Sequence, residues 1–141
     1  MIYLGACHCA AIGFAYNTAV PPGSWPLRAC ACRFCRGHGA VTTSDPLGAL
    51  ELICRDAERL LRYRFGLRTA DFWICRSCGV YLGAATIDQG FGLINTNALV
   101  DRPAQHSPPQ PMSYDGETAP ARTARREQRW TPMRPVATER E

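Results

Sequence analysis

Cys75-Arg76-Ser77-Cys78-Gly79 is the stretch that decides the fold of this chain of 141 residues. Two cysteines separated by two residues form a turn whose sulfurs approach one metal ion, and a glycine directly after the second cysteine supplies the left-handed backbone that such a turn favours. One turn of this kind offers too few ligands to close a site. A second cysteine pair must complete it, and that pairing fixes which segments of the chain meet.

The second pair is Cys7-His8-Cys9, near the N-terminus. Four thiolates close a structural zinc site, so we predict one tetrahedral zinc between the two pairs. Its predicted ligands are Cys7, Cys9, Cys75 and Cys78. His8 lies between two ligands and is expected to point away from the metal. A redox-active pair at residues 75–78 is the alternative, but it leaves five other clustered cysteines unexplained.

A third cluster, Cys30-Ala31-Cys32-Arg33-Phe34-Cys35, carries three thiols in one short stretch. Its cysteines can bind a second zinc and leave one coordination position open, where chemistry could take place. A zinc held by three thiolates is a weak Lewis acid, and it suits an incoming thiolate better than the formation of hydroxide. The alternative is that His8 or His38 supplies a fourth ligand and closes the site.

Three arginines surround this cluster in sequence, namely Arg28, Arg33 and Arg36. They could offset the negative charge of the thiolates or hold a substrate carboxylate through bidentate hydrogen bonds. Trp25 stands in a Pro-rich loop just before the cluster. We therefore predict Trp25 as the aromatic wall of any pocket at this site.

The eighth cysteine, Cys54, belongs to no cluster. It is in phase with Leu50 and Leu52, which favours a buried core position over a reactive nucleophile. Phe72 and Trp73 precede the last cysteine pair and are likewise predicted to lie in the core.

Alternating apolar residues predict a mainly β body over residues 1–102. Strands are expected at 2–4, 12–16, 70–74 and 80–87, and a loop at 20–26. Residues 50–65 are expected to form a hairpin, with Asp56-Ala57-Glu58 at its turn and Leu61, Tyr63 and Phe65 on one face.

Residues 103–141 differ in composition from the body, and we predict a Pro-rich arm followed by a short helix at 120–129. Thr118 stands near the N-cap of this helix. Arg125, Arg126 and Arg129 could make a phosphate-binding face, but their pattern favours a solvated helix surface.

Composition restricts the function further. No stretch approaches the roughly 20 apolar residues of a membrane span, and the start of the chain lacks the charged and apolar regions of a signal peptide, so we expect a soluble cytoplasmic protein. The net charge of +4 falls to about +1 if seven thiolates bind two divalent ions. This small charge argues against nucleic acid as a partner.

Together these motifs resemble the glutathione-dependent formaldehyde-activating enzyme family, which includes centromere protein V. The resemblance lies in residues 5–9 with 12–14, 30–36 with 39–40, 63–66, and 72–79. It implies a β fold of the Mss4-like kind, a structural zinc at the four-cysteine site, and a second zinc at the catalytic Cys30, Cys32 and Cys35. It also implies carbon-sulfur lyase activity, the interconversion of formaldehyde and glutathione with S-hydroxymethylglutathione.

The leading functional hypothesis is therefore a zinc-dependent lyase that acts on the thiol adduct of a small aldehyde. The open zinc would activate a small thiol such as glutathione, and Arg33 and Arg36 would orient its carboxylates. The alternative is a noncatalytic zinc-binding interaction module that contacts another macromolecule through the Arg-rich C-terminal helix. A rubredoxin-like iron site is a third possibility, which a colourless, zinc-loaded protein would exclude.

Overall fold

The computed structural model describes residues 1–135 and 137–138, and in these residues the chain forms strands and two α-helices. The strands are β1 (Ile2–Ala6), β2 (Ile12–Asn17), β3 (Arg28–Cys30), β4 (Thr42–Thr43), β5 (Ala49–Cys54), β6 (Leu60–Tyr63), β7 (Ala70–Cys75), β8 (Tyr81–Thr86), β9 (Phe91–Asn95), β10 (Gln110–Met112), β11 (Thr131–Pro132) and β12 (Ala137–Thr138). The helices are α1 (Arg33–His38) and α2 (Ala119–Arg129). The fold is mainly β with a short C-terminal helix, as the sequence predicts.

The first sheet has the strand order β1-β2-β5-β12. Ile12, Phe14 and Tyr16 alternate with less buried residues along β2, because successive side chains of a strand point to opposite faces of the sheet. β1 passes close to this buried face, and a Cβ atom on Gly5 would lie 2.1 Å from the Phe14 ring. Glycine at residue 5 therefore lets β1 and β2 pair while the Phe14 ring stays in the core.

The second sheet has the order β10-β3-β4-β9-β8-β7-β6, and β11 pairs with β9 outside this path. Trp73, Leu82 and Ile94 of this sheet belong to the same buried cluster as Phe14 and Leu52 of the first sheet. The core thus lies between the two sheets. Burying each of these large side chains contributes about 1.5–3 kcal/mol to stability.

The predicted hairpin over residues 50–65 is wrong, although both of its strands exist. β5 pairs with β2 in the first sheet, whereas β6 pairs with β7 in the second. The Asp56 side chain accepts a hydrogen bond from the Glu58 amide at 3.1 Å and starts a short turn in which the chain passes between the sheets. On β5, Leu50, Leu52 and Cys54 are buried, as predicted.

The segment from residue 103 onward packs on the body and adds strands to both sheets. β10 runs parallel to β3, β11 joins β9, and β12 joins β5. The predicted helix is confirmed as α2, where the Thr118 hydroxyl caps the N-terminus by accepting from the Ala121 amide at 3.2 Å. Residues 136 and 139–141 of the predicted C-terminal segment lie outside the described residues.

Within residues 1–135 and 137–138, no helix has the length and apolar character needed to cross a membrane.

Candidate metal centre

The four sulfurs predicted to share one ion lie within 4.8 Å of one another. The Sγ atom of Cys9 is 3.7 Å from that of Cys7 and 3.5 Å from that of Cys75. Thiolates around a tetrahedral ion lie about 3.8 Å apart when each metal-sulfur bond is about 2.3 Å. The four-cysteine cluster therefore has the spacing that a tetrahedral metal ion requires.

Two tight turns present these sulfurs. Gly79 has a φ of +80°, and its amide donates to the Cys75 carbonyl at 2.8 Å. This is the left-handed position that the sequence predicts for the residue after the cysteine pair. In the N-terminal turn Ala10 takes this conformation, with a φ of +66°, and its amide donates to the Cys7 carbonyl at 3.0 Å. Nothing in the local sequence marked residue 10, because alanine seldom adopts a positive φ.

The four-cysteine cluster links the two sheets. Cys7 and Cys9 lie between β1 and β2 of the first sheet, while Cys75 ends β7 and Cys78 lies between β7 and β8 of the second. Burial raises the pKa of the Cys7 thiol to about 12. Burial also opposes ionisation of Cys78, but the amides of Val80 and Cys9 and the neighbouring thiols bring its pKa down to about 6. Metal binding would have to displace the remaining thiol protons, so it should weaken as the pH falls.

The three-cysteine cluster is held by the end of β3 and the start of α1. Cys30, Cys32 and Cys35 place their sulfurs within 4.8 Å of one another. The Cys32 sulfur caps α1 by accepting from the Cys35 amide at 3.4 Å. A hydrogen bond from Cys35 lowers the pKa of Cys30 to about 5, and the same bond raises the pKa of Cys35. This cluster could hold a second metal ion through three thiolates.

All three of these cysteines line a cavity of about 130 Å³. Its aromatic walls are Phe65, Phe72, Tyr81, Tyr114 and Trp130. Trp25 is not among them, so its predicted role as pocket wall is wrong. Its ring packs edge-on against Tyr3 and Tyr16 in the main core. The four-cysteine cluster does not contribute to this cavity.

Arginines from two segments, β3 and α2, reach the same cavity. They are Arg28, Arg122, Arg125 and Arg126. Of the arginines predicted to surround the cluster, Arg28 lines the cavity, whereas Arg33 and Arg36 are exposed on α1 and do not. Arg33 and Arg36 therefore lie on the solvent side of α1, and the arginines that share the cavity with the thiols come from β3 and α2.

The predicted solvated surface of α2 is wrong for two of its arginines. Arg125 donates to Glu117 from Nε at 2.9 Å and stacks its guanidinium on Tyr114, with Cζ 3.8 Å from the ring centroid. Arg126 is 7% exposed. Arg129 is exposed, as predicted. A row of arginines on a helix usually faces solvent. Here Arg125 and Arg126 line the cavity instead.

Glu117 organises the arginines at the rim of the cavity. Its two carboxylate oxygens accept from Arg122 and Arg125, each at 2.9 Å. The Arg125 hydrogen bond is the main reason that the pKa of Glu117 falls to about 2. Sequence analysis missed this residue, because its partners lie five and eight residues along the chain, beyond the spacing of helical ion pairs.

Arg126 and Tyr81 are buried polar residues of the cavity. Arg126 donates from Nη1 to the Thr69 hydroxyl at 2.6 Å, and its Cζ lies 4.7 Å from the Trp130 ring centroid. Burial lowers its pKa to about 10, so it remains a cation near neutral pH. Burial raises the pKa of Tyr81, which keeps its hydroxyl protonated. Arg126 Nε and Tyr81 Oη have no hydrogen-bond partner in the structure.

Further predictions concern single residues. His8 is exposed and is absent from the four-sulfur group, as predicted. His38 is not close enough to join the three-cysteine group; its ring packs on Phe34 at 4.7 Å instead. Cys54 is a core thiol, 2% exposed, and burial raises its pKa. Trp73 is also in the core, whereas Phe72, predicted there, lines the cavity.

Fold and site together define a two-sheet β protein with two cysteine clusters that could each hold a metal ion. A crystal structure of a Rhodobacter sphaeroides protein from a structural genomics programme is similar to this chain, with 31% sequence identity and a TM-score of 0.56. The similarity covers 72% of this chain and 91% of the other. The chain belongs to the same family as that protein. No protein-family model matches the sequence, and no curated protein matches it.

Proposed function

We infer that the chain binds two zinc ions, one at each cysteine cluster, and that the two ions have different roles. Thiolate sulfur is a soft ligand that suits zinc in tetrahedral sites. The four-cysteine cluster has a complete ligand set and joins the sheets, which supports a structural role. The three-cysteine cluster has an incomplete set and faces a cavity, which supports a role in chemistry.

The reaction we propose is that of a carbon-sulfur lyase acting on the thiol adduct of a small aldehyde. The observation that carries this proposal is that Cys30, Cys32 and Cys35 line one cavity together with four arginines. When bound there, zinc would supply a position for a thiol sulfur and favour its thiolate form. The arginines would attract an anionic thiol and hold it near the cysteines.

The chemistry balances without an oxidant or a reductant. In one direction the thiol sulfur forms a bond to the carbonyl carbon of the aldehyde, and the proton that leaves the sulfur ends on the carbonyl oxygen. In the lyase direction the carbon-sulfur bond breaks, and the proton returns to the sulfur. The protonated Tyr81 hydroxyl on the cavity wall could donate a hydrogen bond to the oxygen on which negative charge develops.

The charges around the cavity support a thiolate as the added ligand. Three thiolates around a divalent ion carry one negative charge, and a fourth thiolate raises this to two. Among the described residues Arg28 and Arg126 form no ion pair, and together they supply two positive charges. These two positive charges offset the negative charge that one further thiolate would bring to the cluster.

We propose a cytoplasmic location, since all eight cysteines are free of disulfide bonds and a reducing compartment keeps thiolates available for metal. The alternative is a noncatalytic module that binds a macromolecule through the arginines of α2. It is less well supported, because most of these arginines are not free on the surface. Arg122 and Arg125 are tied to Glu117, and Arg126 is buried.

The test is a measurement of S-hydroxymethylglutathione formation from formaldehyde and glutathione, by magnetisation-exchange NMR on protein that carries two zinc ions. We expect the exchange rate to exceed the uncatalysed rate. The Cys35→Ser variant, which should lack the second ion, is the matched control. Absence of acceleration for glutathione and for smaller thiols, with both ions bound, would falsify the enzyme proposal.

A further inference from the structure

Two residues that line the cavity each carry a buried polar atom without a hydrogen-bond partner. Across the described residues, four buried side-chain nitrogen or oxygen atoms lack a hydrogen-bond partner, and two of the four belong to cavity residues, Arg126 and Tyr81. Most buried polar groups in proteins are paired, because an unpaired one has lost its hydrogen bonds to water and gained none in return. Two such groups beside the three-cysteine cluster indicate that a polar ligand completes this wall.

The charge of the wall indicates that this ligand is an anion. Arg28 donates to the Ser44 hydroxyl at 2.9 Å, and Arg126 donates to the Thr69 hydroxyl at 2.6 Å, so each cation is bonded to a neutral group. Burial lowers the pKa of the Arg126 guanidinium, which is the effect expected when a cation has lost water without gaining a carboxylate. A ligand carboxylate would give these two guanidinium groups the charged hydrogen-bond acceptor that they lack among the described residues.

The size of the cavity restricts the ligand further. A cavity of about 150 Å³ holds one benzene molecule, so the 130 Å³ beside the cysteines has room for a molecule of about that size. A tripeptide such as glutathione could place only its thiol arm inside. A thiol with a carboxylate two or three bonds from the sulfur fits entirely.

We propose that the thiol taken by this cavity is a small mercaptocarboxylate, whose sulfur lies at Cys30, Cys32 and Cys35 and whose carboxylate accepts hydrogen bonds from Arg28 and Arg126. Tyr81 supplies a neutral donor on the same wall. This inference rests on the proposed function, because it assumes a zinc ion that accepts a thiol at the three-cysteine cluster. It changes the substrate class from glutathione to a smaller anionic thiol, and it assigns the carboxylate to Arg28 and Arg126 instead of Arg33 and Arg36.

The test compares ligands of equal size and different charge. Isothermal titration calorimetry on the zinc-loaded protein would measure 3-mercaptopropionate, its neutral amide 3-mercaptopropanamide, and glutathione. A charge-assisted hydrogen bond to a buried arginine should make the acid bind about tenfold to a hundredfold more tightly than the amide. Arg126→Gln should bring this preference close to one, because it should lower the affinity for the acid far more than the affinity for the amide. Arg129→Gln, on the exposed face of the same helix, is the matched control and should keep the preference.

Arg126 also anchors α2, so its variant must keep the melting temperature of the parent within a few degrees. If it does not, Arg28→Gln, on β3, tests the same preference at the second arginine. Equal affinities for acid and amide would overturn the inference and leave the proposed zinc-bound thiol standing. Tenfold tighter binding of glutathione than of the acid would overturn the small-thiol class. Failure of all three thiols to bind protein that holds two zinc ions would overturn the proposed function itself.

Discussion

The two cysteine clusters use the same ligand and are built in opposite ways. The four-cysteine cluster joins residues that are far apart in sequence, Cys7 with Cys75 and Cys78, and it ties a hairpin of one sheet to a hairpin of the other. The three-cysteine cluster comes from six consecutive residues and faces a cavity. A cluster that closes a long loop restricts the chain and can stabilise a fold, whereas a local cluster adds little restriction and is free to bind a ligand.

The largest expected effect follows from breaking the long-range cluster. Cys78→Ser removes one of four ligands, and because the binding energy of a structural zinc is folding energy, the loss should approach the whole stability of about 5–15 kcal/mol. We expect unfolded or aggregated protein by circular dichroism and size-exclusion chromatography. Cys54→Ser is the matched control, since it replaces a buried thiol outside both clusters. A folded Cys78→Ser protein with an unchanged melting temperature would reverse the roles of the clusters.

The local cluster should behave differently when it loses a ligand. Cys35→Ser should lower the zinc content from two ions to one per chain, yet reduce the free energy of unfolding by at most about 2 kcal/mol, because the cluster spans only a short segment. Metal analysis by inductively coupled plasma mass spectrometry and thermal melting measure the two quantities. A parent protein with one zinc ion or fewer at full folding would contradict the division into four and three ligands.

A smaller effect is expected from the turn of the long-range cluster. Gly79→Ala forces a side chain into a φ of +80°, which costs about 1–2 kcal/mol. The control is Gly37→Ala in α1, where no atom lies within 4 Å of an added Cβ and alanine should stabilise the helix by about 0.5–1 kcal/mol. Chemical denaturation should therefore show a lower free energy of unfolding for Gly79→Ala and a higher one for Gly37→Ala. A destabilised Gly37→Ala protein would show that helix propensity does not determine the stability of α1.

The long-range cluster could be predicted from sequence far better than the cavity beside the local one. Cysteine spacing identified all seven clustered thiols, and the period of two placed Phe14 and Leu52 in the core, because metal geometry and strand alternation act through short, regular spacings. The cavity depends on contacts between distant residues. Arg126 stands some ninety residues after Cys35, and its burial rests on Thr69 and Trp130. The same limit explains the hairpin that was predicted over residues 50–65, since alternation does not reveal which sheet a strand joins.

A change at the rim of the cavity should affect the local cluster alone. Glu117→Gln removes the carboxylate that pairs with Arg122 and Arg125. Loss of these partly buried ion pairs should lower the free energy of unfolding by about 1 kcal/mol near neutral pH. The folded-state pKa of Glu117 is lowered, to about 2, so its contribution is full above the unfolded-state pKa and lost as the pH falls toward 2. Urea unfolding at pH 7 measures the difference between variant and parent. Loss of zinc from both clusters in this variant would contradict the separation of the two regions.

The smallest expected effect concerns the arginines that sequence proximity had favoured. Arg33 and Arg36 stand next to the cysteines in the chain, but both are exposed on α1, and neither lines the cavity. An exposed charge that makes no direct contact with a ligand is screened by water and salt, so Arg33→Ala and Arg36→Ala should each change the free energy of thiol binding by less than about 0.5 kcal/mol. Titration calorimetry with 3-mercaptopropionate at two salt concentrations measures this. A loss of about 1.5 kcal/mol or more in the free energy of binding that persists at high salt would contradict this. It would show that the ligand carboxylate binds to arginines of α1 instead of to the arginines of β3 and α2.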